Sequence, residues 1–525
     1  LALLVATQDA CVAAKDLHVS VKFHHHKAHE VHAATVSHMH GKKLFHVTGS
    51  KRSFDELLSP AVRKQLQLDV WRVRRIGKRS GGEDDSDDDS DDGELQLEAE
   101  IVATDAAIEK FKTKNVEIIK TVKASEHGKK SGVKVHVREK PNWKLQVNQA
   151  DDEEEVDLEL RVAQDRKEVQ SCLYATKGYM MELQNGSLEK YTDSAFFNCF
   201  RPYDQVFEFF DALVDANSDI LTKIANVSTT YEGRTIPSYK ISTEKLTKKK
   251  KKKHHIFRRG DATKMKKSLY TQSLMHAREW QAGASHFFTI ASLIDDLRAG
   301  DANTLKIFDE YDWYFTPVVN IDGYKYSWET DRYWRVNRHP SNGYEGVDLN
   351  RNFPREEYFN AEPEEVDEET NPGEYPLSEP ESQGIYKYVM GLPNLAGFVD
   401  VHAYSGMVLR PFSDVQEEPE EPYGSAMKKL GDAVRDAMSP KGEFQYISQP
   451  SGKLYPAYGC IDDAFFREFN FTIPTLTIEV EGTDFIAEQS TIRDVGQDVN
   501  NGLRQFTKEA SKYHAFIQKL REEEA

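Results

Sequence analysis

Residues 268–280 read SLYTQSLMHAREW. A run of strand-forming residues delivers the chain directly into three ionisable side chains, His276, Arg278 and Glu279. Helical spacing then begins, and ASHFFTIASLIDDLRAG (284–300) ends in a glycine stop. A strand that closes on charges and hands over to a helix is a β-to-α unit, and α/β folds place their sites at such strand ends. Charged groups are costly to bury without partners. The reading therefore turns on whether distant segments supply those partners.

Outward from this stretch, strands and helices alternate. FDALVDANSDILTKI (210–224) reads as a helix, and IPSYKIS (236–242), YDWYFTPVVN (311–320), GFVDVHAYSG (397–406) and PTLTIEV (474–480) read as strands. GQDVNNGLRQFTKEASKYHAFIQKLREEEA (496–525) reads as an amphipathic helix. The pattern predicts an α/β domain over 193–525 with a largely parallel or mixed sheet. KKKKKKHH (248–255) cannot be core and reads as an exposed hairpin insertion.

The N-terminal part differs in texture. LALLVATQDACVAA (1–14) reads as the tail of a signal peptide, which leads into a segment over 18–46 that holds half of the chain's 18 histidines. Without an ordered carboxylate environment that tract reads as a mobile pro-segment rather than a metal store. Over 41–125 the order is β-α-β-β-α-β, that of a ferredoxin-like unit. Its strands are KLFHVTG (43–49), QLDVWRV (67–73), LQLEAEIVA (95–103) and VEIIKTVKA (116–124), and its helices SFDELLSPAVRKQL (53–66) and DAAIEKFKTK (105–114). EDDSDDDSDDGE (83–94) is a solvated acidic hairpin. Residues 126–192 are charged, show little periodicity, and read as a linker open to proteolysis.

A length of 525 residues allows two or three domains. The net charge of −18 argues against nucleic-acid binding, and no apolar run is long enough to span a bilayer. Sequons at Asn185, Asn226 and Asn470 favour secretion. Cys11 falls within the signal reading, so Cys172, Cys199 and Cys460 allow one disulfide, and no C-x-x-C pair exists for a structural zinc finger.

His276 and Glu279, three apart, offer a nitrogen and an oxygen ligand to one metal ion. A catalytic zinc needs only one more protein ligand, and His402, at a strand end in VDVHAYSG (399–406), is a candidate. Asn and Arg gather in the turns PVVNIDGY (317–324), DRYWRVNR (331–338) and GVDLNRNFP (346–354), where Arg forks suit carboxylates. LYPAYGCIDDAFF (454–466) adds a loop tyrosine and TIEVEG (477–482) a strand-end carboxylate.

With YEGRTIP (231–237), these motifs in this order resemble the zinc metallocarboxypeptidases of the pancreatic A/B type, in proenzyme form. The resemblance implies a central eight-stranded mixed sheet flanked by helices, preceded by a ferredoxin-like prodomain that covers the cleft. It implies one Zn2+ on His276, Glu279 and His402, with Asp348 orienting a ligating histidine. Glu479 would be the general base and Arg335 the group that polarises the scissile carbonyl. Asn350, Arg351 and the mobile Tyr455 would hold the substrate's terminal carboxylate, and Arg278 and Tyr404 would line subsites.

Asp462 matches the acidic residue at the pocket base of B-type enzymes, with Ser413 beside it, which implies a preference for C-terminal Lys or Arg. The alternatives are that Asp462 pairs internally with Arg467, or that the preference is A-type, for apolar and aromatic residues. Tyr458, Cys460 and Ala464 depart from the family pattern around this pocket. The disulfide found in some members is absent, and Cys199 with Cys172 or with Cys460 are both possible substitutes. The Ala403–Tyr404 bond is expected to be cis. The implied protein is a secreted, monomeric exopeptidase that acts on peptide C-termini, with its own prodomain as inhibitor and neither nucleic acid nor membrane as partner. The rival readings are a catalytically inactive peptide-binding relative, a metal-storage protein built on the His-rich segment, and an intracellular carboxypeptidase subtype.

Overall fold

The computed structural model describes residues 158–245, 265–355, 366–439 and 445–524, together with short pieces of the first 157 residues, chiefly 43–50, 68–76 and 96–104. The signal reading, most of the His-rich segment, the acidic tract and the lysine run at 248–255 lie outside the described residues.

Eight strands form one sheet: β1 (Leu221–Thr229), β2 (Thr235–Ile241), β3 (Lys267–Ser273), β4 (Tyr311–Thr316), β5 (Leu395–Ala403), β6 (Met407–Arg410), β7 (Ile447–Pro450) and β8 (Thr475–Val480). Their order is β7-β6-β8-β5-β3-β4-β2-β1. The four central strands, β8, β5, β3 and β4, run parallel. β2 is antiparallel to β4, and β6 to β8, so the sheet is mixed, as expected. Every residue of β4 and β5 is buried, the condition of a parallel strand covered on both faces, and it explains their continuous rather than alternating apolar pattern.

The helices that matter to the site are α1 (Leu158–Ala175), α2 (Tyr203–Ala216), α3 (Trp280–Ala299), α4 (Pro380–Met390), α5 (Tyr423–Met438), α6 (Ile461–Glu468) and α7 (Ile492–Glu524). α3 is buried along nearly its whole length and stops at Gly300, where φ is 74°. It lies close against α7. A Cβ at Gly496 would sit 2.7 Å from the Phe288 Cβ, so this crossing requires glycine.

Two expectations are corrected. The helix expected over 210–224 ends at Ala216: the Asn217 side chain donates to the Leu213 carbonyl, and Leu221–Ile224 pairs with β2 instead. The segment read as a linker contains α1, whose buried face is the narrow stripe Leu158, Val162, Asp165 and Val169. Charged neighbours hide that stripe in the sequence, and contacts with the body of the protein stabilise it.

In the N-terminal region, strands Lys43–Ser50, Asp69–Ile76 and Gln96–Ala103 form an antiparallel sheet with Gln96–Ala103 in the middle. A short strand, His136–Val137, pairs with the free side of Lys43–Ser50. The strand expected over 116–124 and most of the helix expected over 53–66 lie outside the described residues.

Candidate metal centre and substrate cleft

β3 and β5 are adjacent and parallel, with Val401 beside Ser273, so their C-terminal ends share one edge of the sheet. His276 follows β3 by three residues, Glu279 occupies the N-cap of α3, and His402 is the penultimate residue of β5. Residues 126 positions apart in sequence thereby meet. His276 Nδ1 lies 2.8 Å from Glu279 Oε1, His402 Nδ1 lies 3.0 Å from Glu279 Oε2, and the two Nδ1 atoms are 3.1 Å apart. All three side chains are buried.

Each outer nitrogen faces a carboxylate. His276 Nε2 is 3.1 Å from Asp348 Oδ1, and His402 Nε2 is 3.0 Å from Asp400 Oδ2. With the protons on Nε2, both Nδ1 lone pairs face each other and the Glu279 carboxylate. The Ala403 N–H donates to Glu279 Oε2 at 3.1 Å, but the crowding of two imidazole nitrogens and a carboxylate still favours a cation among them. Tetrahedral zinc with bonds of about 2.0–2.1 Å places its ligand atoms roughly 3.3 Å apart, close to the spacing present here. The residues therefore fit a zinc ion. The carboxylates around this point favour positive charge, whether a metal ion or a proton carries it. Although burial opposes it, Asp400 and Glu279 hold His402 well above its ordinary pKa. Burial likewise opposes ionisation of Glu279, yet His276 and His402 keep its carboxyl below the usual range.

Asp348 connects this centre to the cleft. Its Oδ2 accepts from Arg335 Nη2 at 2.8 Å, and Arg335 Nη1 lies 3.2 Å from His276 Nδ1. Against the effect of burial, Arg335 and His276 hold the Asp348 carboxyl well below the usual range.

The cleft itself is a cavity of about 70 Å³ that opens beside His276, His402 and Arg335. Glu479 enters it from β8, in register with His402 on β5, half-buried. Burial, followed by repulsion from Glu279, pushes the Glu479 carboxyl up to about 7. Arg351, Asn350 and Tyr455 line another wall, and Tyr455 is 37% exposed, free enough to move. Asn350 is fixed through its side-chain oxygen, which accepts from the Ile461 N–H at the start of α6. At the base lie Ser413 and Asp462. Asp462 Oδ2 accepts from Thr477 Oγ1 at 3.1 Å, while its buried Oδ1 has no hydrogen-bond partner. Arg467 pairs with Asp414 at 2.7 Å and with Asp463 at 3.5 Å, so the internal Asp462–Arg467 pair is not formed.

Over residues 206–502, more than half of the chain, the sequence matches the family model described as zinc carboxypeptidase. The chain belongs to the zinc carboxypeptidase family. It is 30% identical over 250 residues to the inactive metallocarboxypeptidase ecm14 of Sclerotinia sclerotiorum, covering 46% of this chain and 39% of that protein. It is 24% identical over 300 residues to carboxypeptidase B2 of Rattus norvegicus, covering 56% of this chain and 66% of that protein. The chain thus spans less than two thirds of these relatives' own length. The crystal structure of carboxypeptidase A from Helicoverpa armigera superposes with a TM-score of 0.63 at 19% identity, over 90% of this chain and 98% of that one, which shows the common fold.

Within this carboxypeptidase fold, the structure adds residues that the sequence reading missed. Asp400 is one, and its signal was present in VDVH: a carboxylate two positions before a strand histidine shares its face. Glu369 is another. Its backbone carbonyl accepts from Arg335 Nε, and its side chain pairs with Arg278 at 2.9 Å. It lies in an acidic stretch where nothing marks one carboxylate out. Cys460 lines the cavity with its Sγ 3.5 Å from Arg351 Nη1, and burial pushes its thiol up, against the pull of Arg351.

Arg278 and Tyr404 do not line this cavity and are buried beside Phe485. The Arg278 guanidinium stacks over Phe485 at 4.2 Å, and Tyr404 meets Phe485 edge-on. The Ala403–Tyr404 peptide is cis, and the disulfide joins Cys172 to Cys199, leaving Cys460 free.

Proposed function

We propose that this chain is a secreted zinc exopeptidase that removes the last residue of peptides and proteins, prefers C-terminal Lys or Arg, and is made as an inhibited proenzyme. The observation that carries the reading is that one small cavity joins the His276–Glu279–His402 group, the Glu479 carboxylate and the Arg351 guanidinium.

A zinc ion held by His276, Glu279 and His402 would supply Lewis acidity, which polarises a carbonyl and makes a neighbouring water acidic near neutral pH. The remaining steps belong to the protein's own groups. Glu479, with a pKa lifted into the neutral range, takes a proton from the attacking water and gives it to the leaving amine nitrogen. Arg335, steered by Asp348, donates to the oxygen that gains charge as the carbonyl becomes tetrahedral. Arg351 and Asn350 bind the free carboxylate of the terminal residue, and Tyr455 closes over it. Inside a buried site only a terminal carboxylate balances the Arg351 charge, which is the source of exopeptidase character. At the pocket base, burial pushes Asp462 up while the Thr477 hydroxyl opposes the shift. A Lys or Arg side chain would supply the missing partner of its Oδ1 and stabilise the charged form.

The proenzyme reading is supported by contacts from the N-terminal sheet. Asp69 lies 3.3 Å from Arg278, and Trp71 stacks on Tyr333 at 4.9 Å and meets Phe485 at 5.3 Å. These contacts cover Arg278, which the resemblance assigns to a substrate subsite. Secretion is supported by the disulfide, which persists in oxidising compartments, and by exposed asparagines at all three sequons.

A second reading, an inactive peptide binder, is favoured by the names of fungal relatives. The deciding experiment combines zinc analysis with turnover of peptides that differ only in their last residue, after proteolytic trimming. One zinc per chain and faster cleavage of Arg than of Phe ends supports the proposal. A Phe preference refutes the pocket assignment, and zinc binding without turnover supports the inactive reading.

A further inference from the structure

Helix α1 lies outside the family match, in a segment that reads as a disposable linker. Its contacts say otherwise. Leu158, Val162 and Val169 are buried. Asp165, 7% exposed, accepts from Arg332 Nε at 3.2 Å. Arg332 in turn stacks over the Trp280 ring and donates to the backbone carbonyls of Arg278 and Phe485, at 2.8 and 2.7 Å. One turn earlier, Arg161 pairs with Asp484 at 2.8 Å and donates to the Ile486 carbonyl. α1 therefore rests on the loops that carry Arg278 and Phe485.

The remaining contact is covalent. Cys172, in the last turn of α1, is bonded to Cys199, 27 residues on, just before α2. Arg201 adds a hydrogen bond to Thr176 Oγ1 at 2.8 Å. Between the two cysteines the chain turns outward: apart from Leu188, residues 184–190 are exposed, and Lys177 and Lys190 are exposed basic sites. Among the described residues, a stretch open to a protease that recognises basic residues thus lies inside the disulfide loop.

The geometry points to α1 as a permanent covalent part of the working catalytic unit. A single cut anywhere from residue 173 to 198 leaves everything N-terminal to it attached through Cys172–Cys199. Separation of the N-terminal region then requires a cut before Cys172, and a cut before Leu158 leaves the whole of α1 on the enzyme with Asp165 on Arg332. Where it concerns activation, the inference rests on the proenzyme reading above; the tether itself does not.

The test is to nick the full-length protein with trypsin, denature it without reductant, and read intact masses. The expected result is that the peptide carrying Cys172 stays joined to the catalytic fragment and leaves only on adding a phosphine reductant. Alkylation in denaturant before reduction should then mark Cys460 but neither Cys172 nor Cys199. Loss of the Cys172 peptide without reductant, or alkylation of Cys172 and Cys199 before reduction, overturns the inference. In the double variant Cys172→Ser, Cys199→Ser, the same nick should free the peptide in denaturant, and if that variant does not fold the wild-type masses alone decide. Because mass is read independently of turnover, a tethered but inactive nicked protein sinks the proenzyme reading and leaves the tether standing.

Discussion

Asp400 and His402 stand two residues apart on β5, so their side chains share a face, and an Asp400 carboxylate oxygen lies 3.0 Å from His402 Nε2. Gln272 on the neighbouring strand donates to the same carboxylate at 3.0 Å and holds it in place. Replacing Asp400 with Ala should weaken zinc binding by about 10–100-fold. Competition with a chelator measures this directly, and unchanged affinity would mean that the ring is oriented by packing alone. Glu479 carries a different burden. The Glu479→Gln variant should retain the metal while turnover falls about 10²–10⁴-fold. Near-normal turnover with full zinc occupancy would remove Glu479 from the mechanism.

Among the elements, α4 carries an unused buried acid. Glu381, in its first turn, is fully buried and accepts from the Tyr231 N–H at 2.9 Å. Burial raises its pKa to about 8, with Asp322 and Glu379 adding to the effect and the Tyr231 N–H opposing it. The folded state therefore holds a proton that the unfolded chain releases near pH 4.5. Stability should fall as pH rises from that value through about 8, because the unfolded state binds fewer protons over this window. Glu381→Gln retains the acceptor and removes the titration. It should leave stability nearly unchanged at pH 5 and raise it at pH 9 by a few kcal/mol, ~5 at most. Urea unfolding at both pH values is the check, and an equal effect at both would place the cause elsewhere.

At the scale of the whole molecule, the N-terminal region contacts the carboxypeptidase domain around Arg278. Arg278 is shared between Asp69 and Glu369, and Arg63 reaches Asp367 at 3.2 Å. If the sheet blocks the cleft, Asp69→Ala should raise the residual activity of the uncut protein. A hydrogen bond to a charged group contributes about 1.5–3 kcal/mol, which corresponds to a rise of roughly tenfold or more. The cut enzyme should be unaffected, because Asp69 would then be absent. Equal activity of the uncut wild type and variant would show that the sheet does not hold the cleft shut through this pair.

Much of the fold and site was readable from spacing and local chemistry. SLYTQSLMHAREW and VDVH marked strand ends with candidate metal ligands, and TIEVEG one with a candidate base, because a buried charge beside an apolar run stands out wherever it occurs. The central strands were readable because burial on both faces demands continuous apolar residues. Other features depend on which distant segments adjoin. The choice of Cys172 over Cys460 as partner of Cys199, the selection of Glu369 from an acidic stretch and the docking of α1 through Asp165 and Arg332 are contacts across the fold. The chemistry of each residue is local, but its partner is set by the order of strands in the sheet, which brings residues a hundred or more positions apart to one edge. The sequence alone thus determined which groups were available to the site, and the tertiary structure decided which of them meet, because an unpaired buried charge gains its stabilisation only from the neighbour the fold supplies.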